Sequence, residues 1–361
     1  MKKQATLNPG PRSTVRPLAV NVVAGGAGFI GSHLCRALLD RGESVLCLDN
    51  LQTSRPSNLQ ALEGHPRFRF LRHDISQPMP AEVLRMAPRI TRVWNLACAA
   101  SPPLYQRDPE HTMLTNVVGT NNLLHLAEAA KARFLLTSTS EVYGDPEIHP
   151  QAEDYRGNVS CTGPRACYDE GKRAAEALTF DYGRAGRAQV RVARIFNTYG
   201  PNMDPADGRV VSNLICQALR GDELTVYGDG SQTRSFCYVS DMVAGLIALM
   251  EAEIDGMEPV NLGNPHEMTV NELLGHVLSL TGTRAPVVYR PLPVDDPRRR
   301  RPDIARAGRL LGWAPRVPVR ATTWPSNSFT VISWGLPRFT GSIPSNSASI
   351  SAISPATMSE T

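Results

Sequence analysis

The chain has no excess of either charge, no paired-cysteine spacing, no long apolar run and few aromatic residues. Its 38 lysines and arginines against 34 acidic residues leave a net charge of +4, too weak for the basic footprint of a nucleic-acid binder. The seven cysteines (Cys35, Cys47, Cys98, Cys161, Cys167, Cys216 and Cys237) are odd in number and contain no C-x-x-C. That excludes a disulfide framework and a cysteine zinc site. The eight histidines show no metal-ligand spacing, so no metal is expected. Nothing approaches the roughly 20 apolar residues of a membrane helix. Residues 1–17 form a polar tail with Lys2, Lys3, Arg12 and Arg16 and no hydrophobic stretch behind them, unlike a secretory signal. These absences lead to the expectation of a soluble, cytoplasmic protein with no nucleic-acid or membrane partner.

What is present is a chain of 361 residues, 42% hydrophobic, enough for a sizeable core and for two to three units of about 150 residues each. Apolar runs at Leu18–Ala24, Ser44–Leu48, Phe68–Leu71, Val93–Ala97, Phe134–Thr137 and Val190–Ile195 read as buried strands. Helical spacing from Phe29 to Leu38, Leu114 to Ala130 and Tyr168 to Tyr182 separates several of them. This alternation predicts an α/β fold, a Rossmann-type doubly wound parallel sheet covered on both faces. Residues 18–196 would form that domain. From about Asn197 longer loops alternate with short elements, including helices opened by Ser240 and by the capping box Thr269-x-x-Glu272. Residues 197–319 are therefore read as a smaller, partly interleaved substrate domain over the carboxyl ends of the strands. Residues 321–361 carry only Arg338 and Glu360 as charges, with ten serines and six threonines; residues 320–361 are expected to be a disordered tail.

The segment from Gly25 through Gly28, Phe29 and Ile30 to Gly31 places G-x-x-G-x-x-G between a strand and a helix. Glycine permits the tight turn and close approach to a pyrophosphate, and the helix N-terminus offers N–H groups and partial positive charge. Asp49 ends the next strand, 18 residues after Gly31, where a carboxylate accepts from ribose hydroxyls and repels a 2′-phosphate. NAD is therefore the expected cofactor, with Asn50, Ile75 and Leu96 as flanking contacts. Asp74 is read either as an adenine contact or as a simple loop residue.

Tyr168 and Lys172 stand four apart on one helical face. A lysine ammonium one turn away is expected to lower the tyrosine pKa and make it a base. Thr139, at the end of a strand with Ser138 and Ser140, would orient a substrate oxygen. Taken singly, the hydroxyl segment also reads as a serine-rich turn, and a Y-x-x-x-K match occurs by chance in many helices.

In order and spacing, these motifs resemble the extended short-chain dehydrogenase/reductases that act on nucleotide sugars. STSEVYGDPEIHPQ (138–151), GPRACYDEGKR (163–173), RVARIFNTYGP (191–201), DGRVVSN (207–213), LTVYGDGSQTRSF (224–236) and DDPRRRRPDI (295–304) are similar to the UDP-glucuronate decarboxylases of that family, over residues 19 to 319. The resemblance implies that Tyr168 takes the 4′-hydroxyl proton while NAD accepts the hydride, and that Lys172 and Thr139 assist. Carbon dioxide would then leave the 4-keto sugar, and the returned hydride would give UDP-xylose. Glu141 and Arg300 would act around C5 during decarboxylation and reprotonation. Tyr105 would lie near the uronate, Asn197, Arg209 and Arg234 on the UDP diphosphate and adjoining sugar, and Tyr227 against the uracil. A homodimer through the long helices is implied as well. Outside the resemblance, Arg298–Arg301 would read as a solvated basic run and Glu141 as a surface carboxylate. Ala24 and Leu104 depart from the common threonine and histidine. After LGWAP (311–315) the family's charged helix gives way to the Ser/Thr-rich tail, either a reading-frame change or a divergent end.

Overall fold

In the computed structural model, residues 19–254, 256–292 and 300–319 are described. The expected tails, 1–17 and 320–361, and Arg298 of the basic run lie outside the described residues. Six strands follow the apolar runs: β1 (Val20–Ala24), β2 (Ser44–Asp49), β3 (Phe68–Arg72), β4 (Ile90–Asn95), β5 (Arg133–Thr139) and β6 (Val190–Ile195). With Val260–Leu262 at one edge they form a seven-stranded sheet in the order Val260–Leu262, β6, β5, β4, β1, β2, β3. Every neighbouring pair is parallel. All five residues of β1 are buried, as a strand covered on both faces requires. The outer strand β3 instead reads Phe-Arg-Phe-Leu-Arg and is half exposed, a charged edge that discourages further pairing.

Helices cover both faces. On one, Leu34, Leu38 and Leu39 of helix Phe29–Asp40 pack with Met242, Leu246 and Leu249 of helix Val239–Glu251. On the other, Leu123, Leu124 and Ala127 of helix Thr120–Ala130 pack with Ala175 and Tyr182 of helix Ala166–Arg184. A third core joins Leu214 and Ile215 of helix Val210–Arg220 to Val270, Leu273 and Leu274 of helix Val270–Thr281. The capping box is formed as its sequence predicts, Thr269 Oγ1 accepting from Glu272 N and the Glu272 carboxylate from Thr269 N.

Most predicted boundaries shift by a few residues. The helix expected over Leu114–Ala130 begins at Pro109, capped by Asp108, and opens into a π turn at Thr115–Gly119. There Asn116 Nδ2 donates to Thr112 O (3.1 Å) and to Cys98 Sγ (3.2 Å), a side-chain competitor to the regular ladder. The strand predicted at Val93–Ala97 ends at Asn95, whose Oδ1 accepts from Ala97 N (3.3 Å) and turns the chain. The helix expected to open at Ser240 starts at Val239 with no side-chain cap.

The last described segment is tied to helix Val239–Glu251. Trp313 is buried and its indole N–H donates to Asp241 O (3.0 Å), while Asp241 Oδ2 accepts from Arg316 N and Val317 N (2.8 Å each). Trp313→Ala should cost about 3–5 kcal/mol of unfolding free energy, the range for a buried aromatic. A urea titration followed by circular dichroism measures it, and a loss below about 1 kcal/mol would set this segment outside the cooperative core.

Candidate active site

The order of the strands reverses between β1 and β4, and a cleft opens beyond the carboxyl ends of these strands, where open α/β sheets bind ligands. It encloses about 570 Å³. Its floor is the glycine loop: Gly25, Gly28, Phe29, Ile30 and Gly31 all line it, with Leu96 opposite. Gly25 has φ +75°, and a Cβ there would lie 2.7 Å from the Leu96 carbonyl; one on Gly31 would lie 2.1 Å from Gly25 O. Only glycine lets the two backbones meet this closely. Gly28 caps helix Phe29–Asp40 without any side-chain hydrogen bond, and no acidic residue sits in the first turn. The loop thus leaves a helix N-terminus free for an anion, a fit to the pyrophosphate of NAD.

Asp49, expected to accept from ribose hydroxyls, ends β2. It is buried, accepting from Ala27 N (3.0 Å), Leu51 N (2.8 Å) and Ser54 Oγ (2.9 and 3.0 Å), and so ties the glycine loop to the end of β2. Burial pushes its carboxyl up, against these hydrogen bonds. Asp74 is likewise engaged, by Ser76, by His111 Nε2 (2.6 Å) and by Asn50 Nδ2 (3.0 Å). Ile75 is buried against Gly119. None of Asp49, Asn50, Asp74 and Ile75 reaches the cleft wall.

Thr139, Glu141, Tyr168 and Lys172 meet on one wall. β5 delivers Thr139, which accepts from Glu141 N (3.2 Å) and hydrogen-bonds Tyr168. Lys172 Nζ donates to Thr137 O (2.9 Å) and lies 6.0 Å from the Tyr168 ring centroid. The expected lowering of the tyrosine pKa is not what this arrangement gives. Burial dominates, pushing Tyr168 well above its ordinary value and Lys172 below its own, because a desolvated site disfavours both charged forms. Tyr105 stacks on Tyr168, centroids 5.0 Å apart and planes 2° from parallel, with its hydroxyl buried and unpartnered. It sits behind the wall rather than on it.

Glu141 is clamped by two guanidiniums: Arg300 Nη1 donates to Oε1 (2.8 Å) and Arg165 to Oε2. Burial would raise its carboxyl, but the two cations outweigh that and hold it below the usual range. Across the cleft lie Asn197, Arg209, Tyr227 and Arg234. Arg209 is paired with Asp207 (Nε to Oδ2, 2.7 Å), Arg234 donates to Thr233 O (2.8 Å), and Tyr227 is 42% exposed, open to a stacking partner.

Sequence reasoning assigned no role to Arg165 or Asp169. Asp169 is buried among the same charges, and burial together with the Glu141 carboxylate pushes it up to about 7, against Arg165 and Arg300. The signal was present: Arg165, Tyr168, Asp169 and Lys172 follow i, i+3, i+4, i+7, one helical face.

The profile of the NAD dependent epimerase/dehydratase family matches residues 21–263. The chain belongs to that family. Among curated relatives, UDP-glucuronic acid decarboxylase 3 of Arabidopsis thaliana is 50% identical over 327 residues, 88% of this chain and 93% of the relative. Decarboxylase 4 of the same plant is 54% identical over 299 residues, 83% of this chain; there the matched region spans 66% of the relative's length. The solved UDP-glucuronic acid 4-epimerase of Bacillus cereus, in complex with UDP-glucuronic acid and NAD, superposes with a TM-score of 0.74 at 28% identity, covering 83% of this chain and 95% of that one. The family is NAD dependent, in keeping with the glycine loop and with the expected cofactor.

Asp49, beneath the loop, is the residue expected from the sequence to disfavour a 2′-phosphate. Titration should give a Kd for NAD at least tenfold below that for NADP, about 1.4 kcal/mol, and Asp49→Asn should narrow the gap. Equal affinities in the unaltered chain would remove this role.

Proposed function

We propose that the chain converts UDP-glucuronate to UDP-xylose and carbon dioxide through a UDP-4-keto sugar, with NAD held and regenerated within the site. The observation that carries this reading is the Glu141 carboxylate fixed by Arg300 and Arg165 next to the Thr139–Tyr168 pair. The half-identical decarboxylases support it. NAD supplies reversible hydride acceptance at C4. Tyr168, hydrogen-bonded to Thr139, takes and later returns the 4′-hydroxyl proton. Lys172 is the adjacent cation on the same helical face and would hold the nicotinamide ribose. A carboxylate β to the new ketone can leave as carbon dioxide, its electrons passing into an enolate, and Arg300 and Glu141 hold the ring and govern reprotonation at C5. Arg209, Arg234 and Asn197 would bind the diphosphate and adjoining sugar, where guanidinium forks give paired, charge-assisted bonds. Tyr227 would flank the uracil, and Tyr105 would back Tyr168 near the uronate.

A 4-epimerase is the second reading, favoured by the Bacillus cereus neighbour; a 4,6-dehydratase would share the same first oxidation. Incubation with UDP-glucuronate and NAD separates them. Carbon dioxide and UDP-xylose support the decarboxylase, whereas a 4-inverted uronate with no gas supports the epimerase. Two further assignments belong to this proposal. A homodimer is supported by Leu114 just before the π turn and Val118 within it, 41% and 37% exposed, and sedimentation would test it. Cytoplasmic residence is supported by the seven unpaired thiols.

Among the described residues no helix is long and apolar enough to cross a membrane. Tyr168→Phe should keep UDP affinity while lowering turnover at least about a hundredfold; wild-type turnover would require another base. Glu141→Ala and Arg300→Ala should slow xylose formation more than they weaken UDP binding. Arg301→Ala, whose side chain is 42% exposed and 3.8 Å from Glu267, should do little. Equal, mild effects of Arg300→Ala and Arg301→Ala would return Arg300 to an ordinary structural role.

A further inference from the structure

The proton balance of the proposed reaction leaves one group unaccounted for. Loss of carbon dioxide from a carboxylate and formation of a C5–H bond consume one proton for each turnover. The proton that Tyr168 removes from the 4′-hydroxyl goes back there when the ketone is reduced, so it does not meet this need. Glu141 is clamped as a carboxylate by Arg165 and Arg300, and is therefore an acceptor. The Tyr105 hydroxyl is pushed up by burial and gives up its proton reluctantly. Lys172 is engaged with Thr137 O.

Asp169 fits the need. It sits one residue past Tyr168 on the helix face that also carries Arg165 and Lys172, is only 7% exposed, and its Oδ1 is buried with no hydrogen-bond partner. The groups that act on it are Glu141 from the turn after β5, Arg165 and Glu170 from its own helix start, and Arg300 from the C-terminal segment; its charge in turn bears on Tyr105, Cys167 and Tyr168. Resting on the decarboxylase reading, we propose that Asp169 stores, as a neutral acid, the proton that decarboxylation consumes and passes it to C5 by way of Glu141. In the step, the C5–carboxylate bond breaks and its electron pair enters the enolate. Carbon dioxide leaves; the Asp169 O–H bond breaks as Glu141 accepts that proton and gives it up to the new C5–H bond, so Glu141 returns to a carboxylate and Asp169 is left as a carboxylate that solvent reprotonates before the next cycle.

An incoming uronate adds a further negative charge to this cluster, and like charge favours the neutral form of an acid. Uronate binding should therefore favour the protonated acid, whose proton would otherwise be lost as pH rises through about 7.

Two measurements on the NAD-loaded chain test it. In a Tyr168→Phe background, which blocks turnover, calorimetry at pH near 8 in buffers of different ionisation enthalpy should show uptake of about half a proton or more per UDP-glucuronate. UDP alone should take up none, and adding Asp169→Asn should abolish the uptake. In the otherwise unaltered enzyme, xylose formation should fall as pH rises above about 7. Asp169→Asn should lose that limb and at least about tenfold of its turnover while keeping UDP and NAD affinity, and Asp169→Glu should restore the limb. Carbon dioxide release with an unchanged limb in Asp169→Asn, or unchanged proton uptake, overturns the proton store alone. A wild-type chain that releases no carbon dioxide overturns the decarboxylase reading and the proton store with it.

Discussion

The clamp of Arg165 and Arg300 on Glu141 is the contact on which the rest of the site depends. A carboxylate this deeply placed would be expelled or neutralised without compensation, and the two guanidiniums would be equally costly without it. Three distant stretches are thereby joined: the turn after β5, the start of helix Ala166–Arg184, and the segment that follows the small third core. Neighbouring backbone bonds fix the same junction. Gln151 N donates to Arg301 O (2.9 Å), its Oε1 accepts from Arg301 N (2.8 Å), and its carbonyl accepts from Asp303 N (2.8 Å). The C-terminal segment is thus held in place by the sheet domain before it contributes Arg300 to the wall.

What a reader of the sequence can see follows from which forces are local. Near-continuous apolar runs marked β1 to β6, because strands buried on both faces must be apolar throughout. The glycine loop was legible because its constraint is steric and falls on consecutive residues. The Thr269–Glu272 box was legible for the same reason. The π turn was not, since it depends on Asn116 finding Cys98 and on Gly119 meeting Ile75, contacts between segments well apart in the chain.

The electrostatic part was legible only in its membership. Family motifs brought Glu141 and Arg300 together in expectation, and the fold places them 2.8 Å apart across 159 positions. Their surroundings decide how they behave, and spacing carries no record of burial. Asp49 illustrates this: its position at the end of β2 was readable, but its engagement with Ala27, Leu51 and Ser54 arises only when the loop closes over it. Tyr168 illustrates it more sharply. A lysine one turn away is a local fact, whereas the desolvation that outweighs it is a property of the assembled cleft.

One helical face carries two opposed electrostatic regimes, and the division follows from what surrounds each residue. Tyr168 and Lys172 point to a wall where burial favours the uncharged form of both. Arg165 turns toward Glu141, where opposite charges are close enough to keep a carboxylate ionised. Asp169 stands at the boundary, acted on by two cations and two anions but lacking a hydrogen bond at Oδ1. The proposed reaction, which first moves a proton from a hydroxyl and then loses a carboxylate, needs both regimes close together. A helix repeat of three and four residues supplies them side by side, because residues at these spacings share a face while adjacent residues fan out toward different neighbours. The chemistry at C4 and at C5 can then be served by one rigid element, with the differences in charge set by what β5 and the C-terminal segment bring against it.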